Sequence, residues 1–526
     1  MVKSLTYGKP FKLLLAFMMP ILIGNIFQQL YSMVDAIIVG RTLGELALGG
    51  VGATSPITFL IFGFAQGLTA GFAIITSQYF GAGDENGVRK SVAAALLLSV
   101  IATVVITLIS AFCAMPLLRL MNTPESIIQD SYDYLIALFL GLGATVFYNI
   151  LASILRAVGD SRTPLIFLII TSFLNIGLDF LFILAFNMGV GGAGWATVVS
   201  QLVSGAACLV YMLKKYPVLR IGLRDFRGTG RICGKELMVG LPMAFQFSIT
   251  AIGVMAQQTA LNGFGDVAVS ACSAAFKVDN LANQALAALG TAAATFAGQN
   301  YGAGKLDRIK KGVNAGLVIG AVFSVLGLGI ILLLNVPLLK LFIPSPTEEM
   351  IYYSRTYLIY QAACYFLLST VFLYRNVLQG MGCSMLTVIA GVTEVAMRFI
   401  AVFLLVDLMG YTGLCLSNPV AWLGATAYLM VAYYIVIARR LKRTSLLPAA
   451  AAPSSLSGQT ATMEETLKKP FKQSENEEVN PEKPFEQSEN IETNPEKPFE
   501  QSDNAEANPE EPFEQSDEFQ RLSSGR

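Results

Sequence analysis

The chain repeats itself. Short motifs of its first half return about 222 residues later, and both copies lie among long apolar stretches. Gln78-Tyr-Phe-Gly-Ala-Gly83 returns as Gln299-Asn-Tyr-Gly-Ala-Gly304, and Met19-Pro20 returns as Leu241-Pro242. Two similar apolar halves that tilt against each other around a central site are the architecture of secondary transporters. The repeat therefore makes transport the first hypothesis.

The apolar stretches are long enough to cross a bilayer. Of the 526 residues, 54% are hydrophobic and only 14% are charged, whereas soluble domains carry roughly 25% charged residues. Runs of about 20 apolar residues, the length that a transmembrane helix needs, recur along the chain. We therefore predict an all-α polytopic membrane protein with twelve transmembrane helices, at residues 12–39, 47–79, 91–118, 128–155, 164–186, 190–213, 236–262, 268–297, 312–336, 351–378, 386–408 and 413–438.

The repeat divides these spans into two lobes of six helices, residues 1–213 and 236–443, joined by a basic linker at 214–235. Each lobe has an even number of spans and enters the membrane from the same side. A pseudo-twofold axis along the membrane normal should therefore relate the lobes. The basic linker is best explained as a determinant of topology, and contact with anionic lipid is the alternative.

Charge predicts the orientation. One set of helix ends carries 22 Lys and Arg residues, while the opposite ends carry four, which are Arg41, Arg119, Lys340 and Arg355. Positive residues concentrate on the cytoplasmic side of membrane proteins. We expect a multi-pass protein of the plasma (inner) membrane with both termini in the cytoplasm.

Residues 444–526 differ from the rest in composition. They hold 7 Lys and Arg against 18 Asp and Glu, and a 14-residue unit with one Pro-Phe pair repeats through them. One Phe per unit cannot bury a hydrophobic core, so we predict a disordered, acidic, cytoplasmic tail. A neutral expansion explains it more simply than a multivalent docking segment, and its composition identifies no partner.

The residue types argue against enzymatic chemistry. The chain has no His, and its seven Cys show no C-x-x-C spacing, so a metal centre or a disulfide framework is not expected. It also lacks the G-x-x-x-x-G-K loop that holds nucleotide phosphates. We expect no enzyme activity, no cofactor and no nucleic-acid partner, and any proton chemistry must use carboxylates.

The first predicted helix carries a polar stripe. Asn25, Gln28, Gln29, Ser32 and Asp35 follow one another at mostly three- or four-residue steps, which places them on one helix face. A charge at the bilayer centre costs roughly 2.5–3.5 kcal/mol on insertion scales, so an intramembrane acid marks a functional site by default. Asp35 has no cation in its own helix, and we predict that it exchanges a proton.

A second polar pair lies in the fifth predicted helix. Asn175 and Asp179 are four residues apart and share a face, while Asn149 and Thr197 in neighbouring helices could supply further oxygens. Carboxylate, amide and hydroxyl oxygens suit a trapped proton or a hard monovalent cation such as Na⁺. Asp35, Asn175 and Asp179 are the candidate ligands of such a cation.

The second half has a different set of charges. Glu394 and Arg398 lie one turn apart in one helix and are predicted to form a structural ion pair rather than a gate. Lys277 could be held by a carboxylate of a neighbouring helix. Candidate residues of a substrate cavity are Gln28, Tyr31, Ser32, Gln246 and Lys277.

In order and spacing, several of these segments resemble the multidrug and toxic compound extrusion (MATE) family of twelve-helix antiporters. The resemblance extends over residues 1–443. It rests on the Gln28–Asp35 stretch, on the two Gly-Ala-Gly loops, and on the Leu151–Asp160 and Asn175–Asp179 segments.

This resemblance implies two lobes that open alternately to the two sides of the membrane. It also implies export of amphipathic, often cationic, small molecules against inward H⁺ or Na⁺. Asp35, Asn149, Asn175, Asp179 and Thr197 match the cation-site pattern of the branch named for DNA-damage-inducible protein F. The nearest alternative is a flippase for lipid-linked oligosaccharides or polysaccharides, which would need a more basic cavity for pyrophosphate.

Overall fold

The computed structural model describes residues 4–445 of the chain, with side chains to residue 442. Every regular element in this part is helical. The helices of the first half are α1 (Pro10–Leu43), α2 (Glu45–Ala53), α3 (Ser55–Ala82), α4 (Glu85–Leu120), α5 (Glu125–Leu140), α6 (Leu142–Ala157), α7 (Arg162–Phe180) and α8 (Gly189–Lys215). Those of the second half are α9 (Gly230–Asn262), α10 (Asp266–Gly302), α11 (Leu306–Lys340), α12 (Glu348–Ala363), α13 (Tyr365–Gly380), α14 (Ser384–Met409) and α15 (Tyr411–Ser445).

These helices form the predicted twelve spans. Nine helices of the described part are long and apolar enough to cross a membrane, and the bent pairs α5–α6 and α12–α13 bring the number to eleven. The twelfth is α10, which is 37 residues long. Many of its small residues, such as Ala292 and Ala297, are buried within the protein. An interior helix needs less apolar surface than one that faces lipid.

Several helix boundaries differ from those predicted. The predicted span 47–79 is broken at Thr54 between α2 and α3, and α9 begins at Gly230, inside the predicted linker. The rest of the linker holds two short 3₁₀ segments, Pro217–Leu219 and Leu223–Phe226. Apart from its first two residues, the predicted tail 444–526 lies outside the described part of the chain.

The sequence repeat is also a structural repeat. The first lobe bends by 49° between α5 and α6, and the second lobe bends by 50° between α12 and α13. Gly141 ends α5 at the first bend, and Cys364 ends α12 at the equivalent place in the second. Each lobe has a hydrophobic core of its own, around Leu151 in the first and around Tyr365 in the second.

The two lobes meet at one end only, which we call the closed end. It is formed by residues 5–18 and 63–102 of the first lobe and by 232–247 and 289–323 of the second. All interlobe hydrogen bonds of the described residues lie at or next to it. Met33 of α1 and Met255 of α9 lie beyond these contacts along their helices, and both are exposed.

The repeated Gly-Ala-Gly motifs form the centre of the closed end. Gly81 packs on the backbone carbonyl of Gln299, and Gly302 packs on that of Gln78, so closely that a methyl group at either glycine would collide. The two amides cross between the lobes in the same exchanged manner. Gln78 Nε2 donates to the Gly380 carbonyl at 2.9 Å, and Gln299 Nε2 donates to the Ala157 carbonyl at 2.8 Å.

A short segment before α1, Ser4–Gly8, lies across the second lobe at this end, and we call it the strap. The backbone N–H of Leu5 donates to Gln299 Oε1 at 2.8 Å, and its carbonyl accepts from Asn300 and Arg308. Lys305 Nζ donates to the Thr6 carbonyl at 3.3 Å. The strap therefore adds an attachment of the first lobe to the second.

Candidate functional site

Helix α1 carries Asp35 into the interior of the first lobe. Its side chain is 8% exposed, and its Oδ1 atom has no hydrogen-bond partner among the described residues. The three ion pairs of this part of the chain do not involve it. An acid without a cationic partner costs free energy to bury when it is ionised, so Asp35 is a group that gains from taking up a proton or a cation.

Helix α7 carries Asn175 and Asp179 one turn apart. They are 2% and 0% exposed, and neither carboxylate oxygen of Asp179 nor either amide atom of Asn175 has a hydrogen-bond partner in the described chain. Directly after α7 the chain makes a π-helix, Leu181–Ala185. Such wide turns are rare and often occur at functional sites.

The side chains of Asp35 and Asp179 are neighbours in the interior, although their helices are far apart in sequence. Tyr31 and Tyr134 lie within electrostatic range of both acids. Two adjacent carboxylates repel each other when both are ionised, and the low dielectric constant of the interior strengthens that repulsion. A proton or a monovalent cation held between them removes it.

A small cavity lies one helical turn from the two acids, beside Tyr31 and Asn175, and neither acid lines it. It has a volume of about 10 Å³ and is lined by side chains of α1, α7 and α8. That volume is close to the least that holds one water molecule, roughly 10–15 Å³. Its lining includes Asn175, Thr197, Ser200 and Gln201. The Ser200 hydroxyl and the Gln201 Oε1 atom also lack partners among residues 4–442. The donor set thus fits a proton, a water molecule or a small cation, but not an organic compound.

An apolar cluster borders this polar site. Ile38 and Val39 of α1 pack with Ile183 of the π-helix and with Val190 and Ala193 of α8. These side chains limit the contact of the acids with water. They also pack the π-helix against α1.

The remaining predicted residues of the first lobe are more dispersed. Thr197 and Tyr31 line the small cavity, whereas Asn149 is half-buried in α6 and does not. Gln28 and Ser32 are exposed on α1, and the Ser32 hydroxyl donates to the Gln28 carbonyl at 3.0 Å. Gln28 and Ser32 are therefore not part of the small cavity.

In the second lobe, Glu394 is paired with two arginines. Glu394 accepts from Arg398 at 3.1 Å, as predicted, and also from Arg375 of α13 at 2.6 Å. All three side chains are buried. Two guanidinium groups on one carboxylate make a net positive cluster, which holds α13 and α14 together. The periodicity of one helix could not predict the second arginine.

Other polar groups of the second lobe have partners of their own. Asp279 accepts from Tyr365 at 2.8 Å and from Asn283 at 3.0 Å. Gln246 accepts from Gln379 at 2.8 Å. The suggestion that a neighbouring carboxylate holds Lys277 is wrong, because its ammonium lies 5.3 Å from the centre of the Phe342 ring and it is in none of the ion pairs of the described residues.

Sequence reasoning missed Ser200, Gln201 and Glu236. Ser200 and Gln201 lie three and four residues beyond Thr197, and this helical spacing was the signal that could have found them. Glu236 of α9 is fully buried at the closed end and accepts from Ser91 of α4 at 3.0 Å. Glu236 directly follows the basic linker in sequence, so the sequence alone gave no reason to expect that this acid is buried.

Comparison with known proteins agrees with this architecture. The sequence profile of the MatE family matches residues 20–181 and, a second time, residues 242–404. The two matches correspond to the two halves of the repeat. Together they cover more than half of the chain.

Two relatives are described as probable multidrug resistance proteins. The probable multidrug resistance protein YpnP of Bacillus subtilis (strain 168) is 33% identical over 306 residues, which cover 58% of this chain and 68% of that protein. YoeA of the same organism, also a probable multidrug resistance protein, is 30% identical over 59% of this chain and 69% of its own length.

A solved structure shows the same fold. An outward-facing multidrug resistance MATE family transporter of the MOP superfamily superposes with a TM-score of 0.77 at 24% identity, over 83% of this chain and 98% of that chain. Members of the family are transporters and not enzymes, and the narrower assignment to one branch stays a prediction. The chain belongs to the MatE family of multidrug efflux transporters.

Proposed function

We propose that this protein exports amphipathic, often cationic, small molecules in exchange for inward H⁺ or Na⁺, and that Asp35 and Asp179 are the coupling site. The observation that carries the proposal is that these two buried acids are neighbours and that neither has a cationic partner among residues 4–442. Asp279 and Glu394 of the second lobe support this assignment by contrast, because each has its own hydrogen-bond or ionic partners. Glu236 is buried without a cation as well, but it stands alone at the closed end and accepts from Ser91.

The coupling ion acts by removing charge. When a proton or Na⁺ reaches the acid pair from outside, it neutralises a carboxylate and removes the free-energy cost of burying that charge. It also weakens the attraction of the first lobe for a cationic substrate, which then leaves. An ion can drive the conformational change only because it binds one state better than the other.

The site of the coupling ion is separate from that of the exported compound. The cavity beside Asn175 holds about 10 Å³, which is far below the roughly 300–1,000 Å³ of drug-sized sites. We place the exported compound instead between the lobes, beside the exposed side chains of Gln28, Ser32 and Met255. The two ligands thus communicate through charge and helix position rather than by direct competition.

The arrangement of the lobes supports an outward-open state. The closed end carries the strap, the Gly-Ala-Gly loops and Arg308, and it belongs to the strongly basic set of helix ends that we assign to the cytoplasm. The separation of the lobes then faces the outside, from which the coupling ion enters. The membrane potential assists that entry by about 2.3 kcal/mol per charge for each 100 mV.

Efflux from reconstituted vesicles under separately imposed pH and sodium gradients tests the proposal. Asp35→Asn and Asp179→Asn should each lower gradient-driven efflux at least tenfold at equal protein content, because an amide cannot take up the coupling ion. Asp279→Asn is the matched control, since that acid is buried but already has two hydrogen-bond donors. Unchanged efflux by the Asp35 variant would refute the coupling role, and the gradient that drives the wild type identifies the ion.

A further inference from the structure

A groove runs along the outside of the first lobe between α7 and α8. Its volume is about 660 Å³, and its walls are formed by apolar side chains, among them Phe167, Val203, Ala206 and Val210. This volume is within the range of sites that bind small organic molecules. The groove is separate from the acid site and serves no step of the proposed transport.

The groove faces away from the second lobe. Val203, Ala206 and Val210 recur at three- and four-residue steps and are exposed, so they form one outward stripe of α8. Helices α7 and α8 pack mainly on α1, α5 and α6 of their own lobe. An exposed apolar surface of a transmembrane helix is covered by lipid in the bilayer, which makes lipid the natural occupant.

Aromatic contacts give the groove a fixed shape at its basic end. Phe167 and Tyr211 pack edge to face with centroids 6.0 Å apart, and Tyr211 packs on Tyr216 at 6.2 Å. The Tyr216 hydroxyl donates to Asp160 Oδ2 at 2.6 Å, which anchors this wall to the loop before α7. The small Ala206 leaves the concave space beside the aromatic wall.

The mouth of the groove is basic. Lys214 and Lys215 line it at the end of α8, and both are exposed. Arg220 is held nearby, because its Nε donates to the Leu213 carbonyl at 2.7 Å. The ion pairs of residues 4–442 include none of these cations. Asp160, the acid closest to this wall, already accepts from Tyr216, Thr163 and Arg162.

We propose that this groove binds one anionic phospholipid, with an acyl chain along the apolar stripe of α8 and the headgroup phosphate at Lys214 and Lys215. Basic pockets between transmembrane helices on the cytoplasmic side are suited to anionic headgroups. The lysines belong to the basic set of helix ends, so the lipid comes from the cytoplasmic leaflet. That assignment rests on the proposed orientation, but the binding itself does not depend on transport.

The test uses the full chain, purified, delipidated and titrated with phosphatidylglycerol or phosphatidylcholine in native mass spectrometry. The wild type should retain phosphatidylglycerol in preference to phosphatidylcholine. Lys214→Gln with Lys215→Gln should weaken the binding of phosphatidylglycerol roughly 25-fold, at about fivefold per cation, and should leave the binding of phosphatidylcholine unchanged. Lys9→Gln with Lys12→Gln, an exposed pair at the entrance to α1, is the matched control and should behave as the wild type.

Ala206→Phe separates the chain site from the headgroup site. It fills the groove but keeps both lysines, so it should abolish the tightly held lipid of either kind. The exposed position tolerates a larger side chain without loss of folding, which size-exclusion chromatography verifies. Equal retention of the two lipids by the wild type would overturn the proposal, and so would an unchanged phosphatidylglycerol affinity after loss of both lysines. Neither outcome depends on efflux activity, so the proposed lipid site can be refuted without refuting the proposed coupling site.

Discussion

At the scale of single residues, the buried acids differ in how their charge is treated. Glu394 faces two arginines, Asp279 accepts two hydrogen bonds, and Asp35 and Asp179 have only each other. When a carboxylate is paired with cations or hydrogen-bond donors, its protonation lowers the stability of the folded protein, because those partners are lost. The Asp35–Asp179 pair is the reverse case, which is why we propose it as the place where the coupling ion is exchanged.

A fifth acid has a purely local role. Ser161 stands at the N-cap of α7 but makes no cap hydrogen bond. Asp160 does so in its place and accepts from the backbone N–H groups of Arg162 and Thr163, both at 3.0 Å. Its other oxygen accepts from Thr163 and from Tyr216 at 2.6 Å each. Burial and this bond to Asp160 raise the pKa of Tyr216 above its usual value near 10.

We expect Asp160→Ala to lower the free energy of unfolding by about 2 kcal/mol, because it removes a helix cap and the bond to Tyr216. Denaturant unfolding in detergent micelles measures the change. Ser161→Ala is the control and should cost less than about 0.5 kcal/mol. Because the Tyr216 pKa is raised, the contribution of its bond is complete below pH 10 and fades only as the pH rises beyond that value. Equal effects of the two substitutions would contradict this role of Asp160.

At the scale of helices, the two breaks near the lobe midpoints are the main departures from the predicted spans. Residues 128–155 and 351–378 read as uninterrupted apolar runs, yet the structure bends each by about 50°. Hydropathy does not report a bend, because the residues on both sides are equally apolar. At the first bend, Gly141 lies so close to Val198 of α8 that a methyl group at Gly141 would collide with it.

Gly141→Ala should therefore destabilise the first lobe by about 1–3 kcal/mol, the usual range for overpacking. Val198→Ala in the same chain should recover part of the loss, since it removes the two methyl groups nearest the added carbon but leaves the Val198 Cβ atom at 2.8 Å. Gly143→Ala is the control, because only a Thr103 methyl group lies near the added carbon. The unfolding transitions of these variants in micelles give the comparison. If Val198→Ala recovers none of the lost stability, a contact other than the one with Val198 explains the effect of Gly141→Ala.

At the scale of the whole molecule, the exchanged glutamines join the lobes symmetrically. Gln78 reaches the second lobe, and Gln299 reaches the first, each through one amide hydrogen bond to a carbonyl. Only Gln299 also accepts from the strap. Opening of this end must break both bonds and separate the glycine contacts. Because Gln299 also holds the strap, its loss should weaken the closed end more than the loss of Gln78.

Gln299→Ala should shift the population toward opening of the closed end. Spin labels at Asn86→Cys and Asp307→Cys, exposed positions 221 residues apart, report the separation of the lobes in a background without the native cysteines. We expect a longer distance to gain population, because about 1 kcal/mol per lost bond changes a two-state ratio roughly fivefold. Gln129→Ala, which removes an amide bonded only within α5, should leave the distances unchanged. An unaltered distribution in the Gln299 variant would exclude a latch role.

The repeat and the helical periodicity were enough to predict the two lobes and most helices, and to place Asp35 and the Asn175–Asp179 pair on polar helix faces. They could not predict contacts between helices that are distant in sequence. Ser200 and Gln201 join the acid site only through the packing of α8 on α7. Arg375 reaches Glu394 for the same reason. Periodicity describes one helix at a time, whereas a site is made by several.

The strap has a consequence for how such proteins should be compared. Leu5 contributes its own main-chain N–H and carbonyl groups to the bonds with Gln299, Asn300 and Arg308. Every residue type except proline offers both groups. An attachment of this kind places little constraint on residue type. Related transporters could therefore keep the strap while their residues at these positions differ.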